Sequence, residues 1–241
     1  MTLLEHLGEL RKRLMRSLFG VGVGFLLVYS FAERIFDFLL RPLCSRFAAD
    51  NCPMVYTNIA EPFLVYLKVG LLGGVFVSAP WIFYQIWLFI RPGLKATETR
   101  YVIPFVTAGS VMFVGGALLG YFFIFPLAFD FFLTQASQPI HPMLSMGDYF
   151  SFAGGLLLAF GALFEIPVFV VILNFLGILP SKTLWATWRY VAAGIFVLAA
   201  VLTPADPYTM LLLGVPLFVL YIIALVFCSL FETLRGRRNL D

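Results

Sequence analysis

The stretch SFAGGLLLAFGALFEIPVFVVILNFLGIL, residues 151–179, decides the fold. Crossing the hydrocarbon core of a bilayer takes about 20 apolar residues, and this run is longer than that, with a single charge, Glu165, in its middle. Ionising a carboxylate at that depth costs about 2.5–3.5 kcal/mol on insertion scales. Glu165 is therefore expected to be protonated, to face a wet cavity or to have a partner. Pro167 lies two residues on, and Gly154, Gly155 and Gly161 thin the turns before it. A proline inside a membrane helix frees a carbonyl and permits a kink. A kinked span with one acid at mid-depth points to a working site; the competing reading is a protonated Glu that binds a neighbouring helix as structural glue.

The rest of the chain repeats the pattern. Of 241 residues, 61% are hydrophobic and 12% charged, against about 25% charged in soluble domains. This is the composition of an all-α, polytopic membrane protein with little chain left for a soluble domain. The net charge of +3 does not suggest a nucleic-acid binder, because the basic residues flank apolar runs and do not build a face. The first apolar run is too long for a cleavable signal sequence and reads as a span that stays.

In chain order, Leu3, Leu7, Leu10, Leu14 and Leu18 recur at steps of three and four, with Glu5, Glu9, Lys12, Arg13 and Arg16 on or beside the other face. That periodicity predicts an amphipathic helix on the membrane surface feeding the first span. Six spans are expected, over about 18–40, 64–88, 101–126, 150–178, 189–203 and 208–231, in a single membrane domain. Residues 41–63, with Pro42, Pro53 and Pro62, read as a structured loop with room for one short helix. The fifth apolar run, YVAAGIFVLAAVLTP, has about 15 residues, or roughly 22 Å of helix, short of a core about 30 Å thick. With the sixth span it implies local thinning of the bilayer or partial exclusion of lipid.

Lysine and arginine give the orientation. Twelve of them, from Arg11 to Arg16, from Arg91 to Arg100, at Lys182 and Arg189 and in the tail from Arg235 to Arg238, fall on one side; Arg34, Arg41, Arg46 and Lys68 fall on the other. Both termini are expected to be cytoplasmic.

The chemistry on offer is limited. His6 and His141 are predicted on opposite sides, and HExxH, CxxC, GxSxG and the phosphate-loop pattern are all missing. Neither a catalyst nor a cofactor or metal site is expected. Cys44 and Cys52 share a loop on the side predicted to be oxidising, so a disulfide and two free thiols are both open. Glu9 and Glu98 border spans one and three at the basic surface, where an acid can hold a guanidinium through two parallel hydrogen bonds. The blander alternative pairs Glu9 with Arg13 at i,i+4, and Glu98 with Arg100 or Lys95.

Four segments carry a family resemblance: HLGELRKRL (6–14), SAPWIFYQIWLFIRPGL (78–94) followed by Glu98, AFGALFEIPV (159–168) and LTPADP (202–207). They resemble, in order, motifs of the TatC family, the multispanning subunit of the twin-arginine protein translocase. The resemblance implies six spans around a concave groove, with short helices five and six. It also implies a receptor for signal peptides with two consecutive arginines, in an oligomeric complex of a bacterial inner membrane. Such a complex moves folded proteins with TatA- and TatB-type single-span partners, driven by the proton gradient. On this resemblance Glu9 and Glu98 engage the twin arginines, and Phe89 and Pro92 shape the same loop. Glu165 faces the groove and bears on partner assembly, the region of Asp206 and Thr209 docks a partner helix, and residues 41–63 and 127–149 cap the groove. One departure is Met210, where many members carry Gln four residues after the Asp that matches Asp206; a polar contact there would be lost or moved to Thr209. The alternative, from Glu165 alone, is a proton-coupled small-solute transporter, which favours a repeat symmetry that the sequence does not display.

Overall fold

The structure is a computed structural model that describes residues 3–45, 47, 52, 54–91, 102–135, 143–202 and 207–238. Helix α1 (Leu3–Tyr29) is followed at an 84° bend by α2 (Ala32–Cys44). After the two-residue strand β1 (Met54–Val55) come α3 (Glu61–Ile90) and α4 (Val102–Leu119); α4 passes through a π-turn at Gly120–Ile124 into α5 (Phe125–Gln135). Strand β2 (Leu144–Ser145) then leads into α6 (Met146–Phe175), α7 (Ser181–Leu202) and α8 (Pro207–Arg238). Among the described residues, five helical stretches are long and apolar enough to cross a membrane, and the bent pair α1–α2 passes the same test as one unit.

The single first span expected over 18–40 is thus two helices, and the amphipathic segment before it is continuous with α1. The reason lies in the pattern of α2. Ala32, Phe36, Leu39 and Leu43 are buried, while Glu33, Arg34, Asp37 and Arg41 are exposed, so this helix has one polar face and packs along the bundle. Pro42 removes the N–H that would bond to the carbonyl of Phe38 four residues back. Tyr121 replaces it, donating its hydroxyl to Phe38 O at 2.6 Å. The hydroxyl of Tyr149 donates to the next carbonyl, that of Leu39. Two tyrosines from the π-turn and α6 thereby dock α2 through backbone groups.

Other expected boundaries shift as well. The third helical stretch runs to Gln135, into the segment read as part of the cap. The fifth helix has 22 residues because α7 begins in the polar SKTLWATWR, ahead of the short apolar run; α8 has 32. In residues 41–63 the described part holds the end of α2, then β1 and the start of α3, with no separate short helix.

Close backbone approach sets the main helix pairs. A Cβ on Gly24 of α1 would lie 2.6 Å from the carbonyl oxygen of Gly74 on α3, and one on Gly116 of α4 would lie 2.7 Å from that of Phe160 on α6. At the other end of α6, Glu232 of α8 accepts from Asn174 Nδ2 at 2.6 Å, from the Ser181 backbone N–H at 2.8 Å and from the Ser181 hydroxyl. The Ser181 N–H belongs to the first turn of α7, where helical donors lack internal partners and negative charge is favoured. One carboxylate therefore ties three helices.

Candidate functional site

The N-terminal half of α1 runs antiparallel to the C-terminal half of α3. The rings of His6 and Phe89 lie 4.5 Å apart, and Trp81 Nε1 donates to Arg16 O at 3.0 Å. Between these contacts lies a polar group. Glu9 Oε1 accepts from Arg13 Nη2 at 3.2 Å, and both side chains are 18% exposed. Arg13 Nη1 also reaches Gln85 Oε1 of α3 at 3.5 Å, and Gln85 is only 1% exposed. Arg13 Nε is buried and makes no hydrogen bond among the described residues. The result is a carboxylate at the mouth of the α1–α3 seam, partly shielded from water, where charge-assisted bonds to a guanidinium are strengthened.

Of the expected site residues, the structure brings Glu9 and Phe89 to this one end: Phe89 contacts His6, which is one turn before Glu9 on α1. Pro92, Glu98 and Asp206 lie outside the described residues, as does His141. Thr209 is in the first turn of α8; its side chain is outside the description. Arg13 and Gln85 were not singled out as site residues from the sequence. Arg13 was legible as the i,i+4 neighbour of Glu9, whereas Gln85 carried no local signal, since a lone Gln in an apolar run reads as a tolerated polar residue.

Glu165 sits on α6 at 5% exposure, and neither carboxylate oxygen has a hydrogen-bond partner among the described residues. It is apart from the Glu9 group. Two residues beyond it, Pro167 begins the α6 wall of an apolar cleft of about 630 Å³, closed by Trp87 of α3, Phe105 and Met112 of α4, and Leu220 and Phe227 of α8.

The opposite end of the bundle is knotted by another carboxylate. Glu61, in the first turn of α3, accepts through Oε1 from the Ser145 hydroxyl at 2.5 Å and the Gly147 N–H at 2.6 Å. Its Oε2 accepts from the Thr57 N–H at 2.6 Å, the Thr57 hydroxyl at 3.0 Å and the Asn58 N–H at 3.3 Å. Ser145 also caps α6, accepting from the Asp148 N–H at 3.3 Å. Strands β1 and β2 pair in parallel beside this knot, Met54 with Leu144 and Val55 with Ser145. Cys44 and Cys52 are joined by a disulfide with a Cα–Cα distance of 5.1 Å. Residues from both expected cap segments meet here. Glu61 was missed by the sequence reading; its signal is Asn58 three residues before it, the spacing of a capping box.

A family model described as Sec-independent protein translocase protein (TatC) matches residues 5–216. The protein of that name from Desulforapulum autotrophicum is 41% identical over 227 residues, 94% of this chain and 84% of the relative. That from Escherichia coli strain K12 is 37% identical over 237 residues, 98% of this chain and 91% of the relative. A solved structure described as the crystal structure of the twin arginine translocase receptor TatC superposes with a TM-score of 0.77 at 32% identity, covering 93% of this chain and 98% of that one.

Proposed function

The chain belongs to the TatC family and is a component of the Tat protein translocase, and from that premise we propose that its Glu9 end is the receptor site for twin-arginine signal peptides. The observation that carries this reading is the half-shielded carboxylate of Glu9 beside the end of α3, the helix that leads into the segment containing Glu98. Two consecutive arginines need two acceptors in a site of reduced dielectric; Glu9 is one, and Glu98, eight residues after the end of α3 in the sequence, is the acid we assign as the other. The apolar part of a signal peptide would lie along the bundle.

In this proposal both termini are cytoplasmic in a bacterial inner membrane, because twelve of the sixteen Lys and Arg residues flank that side. Single-span partners of the TatA and TatB type dock near Glu165 and the start of α8, in an oligomeric complex. Transport is driven by the proton gradient through that assembly, and the chain itself holds no cofactor and catalyses no reaction. The alternative, a small-solute transporter built on Glu165, gains no support from the family.

The test is export of a twin-arginine substrate in cells. Glu9→Ala and Glu98→Ala each abolish export while the amount of the chain in the membrane stays unchanged; normal export in both variants would overturn the site assignment.

A further inference from the structure

Glu9 already holds a guanidinium. Arg13, one turn along α1, donates through a single nitrogen, Nη2, at 3.2 Å. The pairing is not the two-point fork by which a guanidinium meets a carboxylate best. Arg13 Nε is meanwhile buried with no bond among the described residues, and Nη1 is 3.5 Å from Gln85 Oε1, at the long limit of a hydrogen bond. Arg13 thus stands between two acceptors and satisfies neither fully.

We propose that Arg13 is a resident competitor for Glu9, and that its displacement sets the affinity threshold that a ligand cation must pass to occupy the site. The proposal rests on Glu9 being a ligand acceptor, as argued above, and adds the control of that acceptor. An incoming arginine gains two parallel bonds where Arg13 makes one. An incoming lysine offers a single point contact from a strongly hydrated ammonium, so it replaces one monodentate cation by another and gains little. The released Arg13 turns to Gln85, a buried acceptor on the facing helix that lies within reach. Gln85 therefore favours the open form of the site, and Arg13 raises the threshold that a ligand must pass.

The test is binding of synthetic signal peptides with Arg-Arg or Lys-Lys to the full chain in membranes containing the whole translocase. The variants are Arg13→Gln, Gln85→Leu, Glu9→Gln and Glu9→Gln/Arg13→Gln. Removing an i,i+4 pair of this kind is expected to tighten Arg-Arg binding about twofold. Lys-Lys binding tightens by the same factor, because the release of Arg13 is common to both ligands, so the ratio of the two affinities holds while both gain. Gln85→Leu weakens Arg-Arg binding, and Glu9→Gln loses it with or without Arg13. A gain of affinity cannot come from misfolding. Arg-Arg binding that is weaker or unchanged in Arg13→Gln, with Glu9→Gln still inactive, overturns the competitor and leaves the receptor site standing. Undiminished binding by Glu9→Gln overturns the acceptor itself.

Discussion

Glu61 and Gly147 are 86 residues apart in the chain, yet the carboxylate of one accepts the backbone N–H of the other at 2.6 Å. The donor belongs to the first turn of α6, where an anion meets unpaired N–H groups and the positive end of the helix dipole. The same carboxylate holds Thr57 and Asn58, so a single side chain fixes the start of α6 to the segment before α3.

Glu61→Ala is therefore expected to lower the melting temperature of the purified protein and to open the 41–63 segment to protease. Glu61→Gln does so less, because its amide oxygen still accepts. Gly147→Ala has a similar effect, since its Cβ would come within 2.9 Å of Glu61 Oε1. Unchanged melting and protease resistance in Glu61→Ala would show that the cap is held by other means.

The docking of α2 separates into two hydroxyls. Tyr149→Phe removes the side-chain donor of the Leu39 carbonyl, which still faces the N–H of Leu43 one turn on in α2, so the loss is about 0.5–1.5 kcal/mol. Tyr121→Phe costs more, about 1–3 kcal/mol, because Pro42 has no N–H to give and the Phe38 carbonyl is left without a donor. In a Pro42→Ala background the Tyr121→Phe loss shrinks, with a coupling of about 1 kcal/mol in a double-mutant cycle. Additive effects would break the link between Pro42 and Tyr121. Tyr221→Phe is the control: the Tyr221 hydroxyl is buried and has no partner among the described residues, so the change is neutral or stabilising.

Cys44 and Cys52 close a short loop, with a sequence separation of 8. On the chain-entropy account, a loop of that size adds about 2–3 kcal/mol. Cys44→Ser is expected to lose that amount, and a reductant lowers the melting temperature of the parent protein but not of the variant. A reductant effect of equal size in both would place its target elsewhere.

Glu232 ties α6, α7 and α8 at one point. Glu232→Ala is expected to lower the melting temperature and to raise amide hydrogen exchange in the first turn of α7 about tenfold, the response to losing roughly 1.4 kcal/mol of local protection. Exchange unchanged at Ser181–Leu184 would remove Glu232 as the cap of α7.

Most of the spans were legible because each is an apolar run long enough to name itself, and the Glu9–Arg13 pair was legible because i,i+4 neighbours on a helix must meet. The break between α1 and α2 was not. Neither Pro nor Gly marks residues 29–32, and the buried set Ala32, Phe36, Leu39 and Leu43 merges with the apolar run before it. The knot at Glu61 depends on Ser145 and Gly147, and the seat of Arg13 on Gln85. Both are long-range pairings that local spacing does not encode. Strands of two residues carry no period to read.

The most direct test of the central claim is photo-crosslinking of a signal peptide to this chain in membranes, with the photoreactive residue placed beside Glu98 and with Arg-Arg and Lys-Lys peptides compared. The account predicts a crosslink with Arg-Arg that is lost with Lys-Lys and in Glu9→Ala. No crosslink with either peptide, from protein shown to be folded, would contradict a receptor site at this end of the bundle.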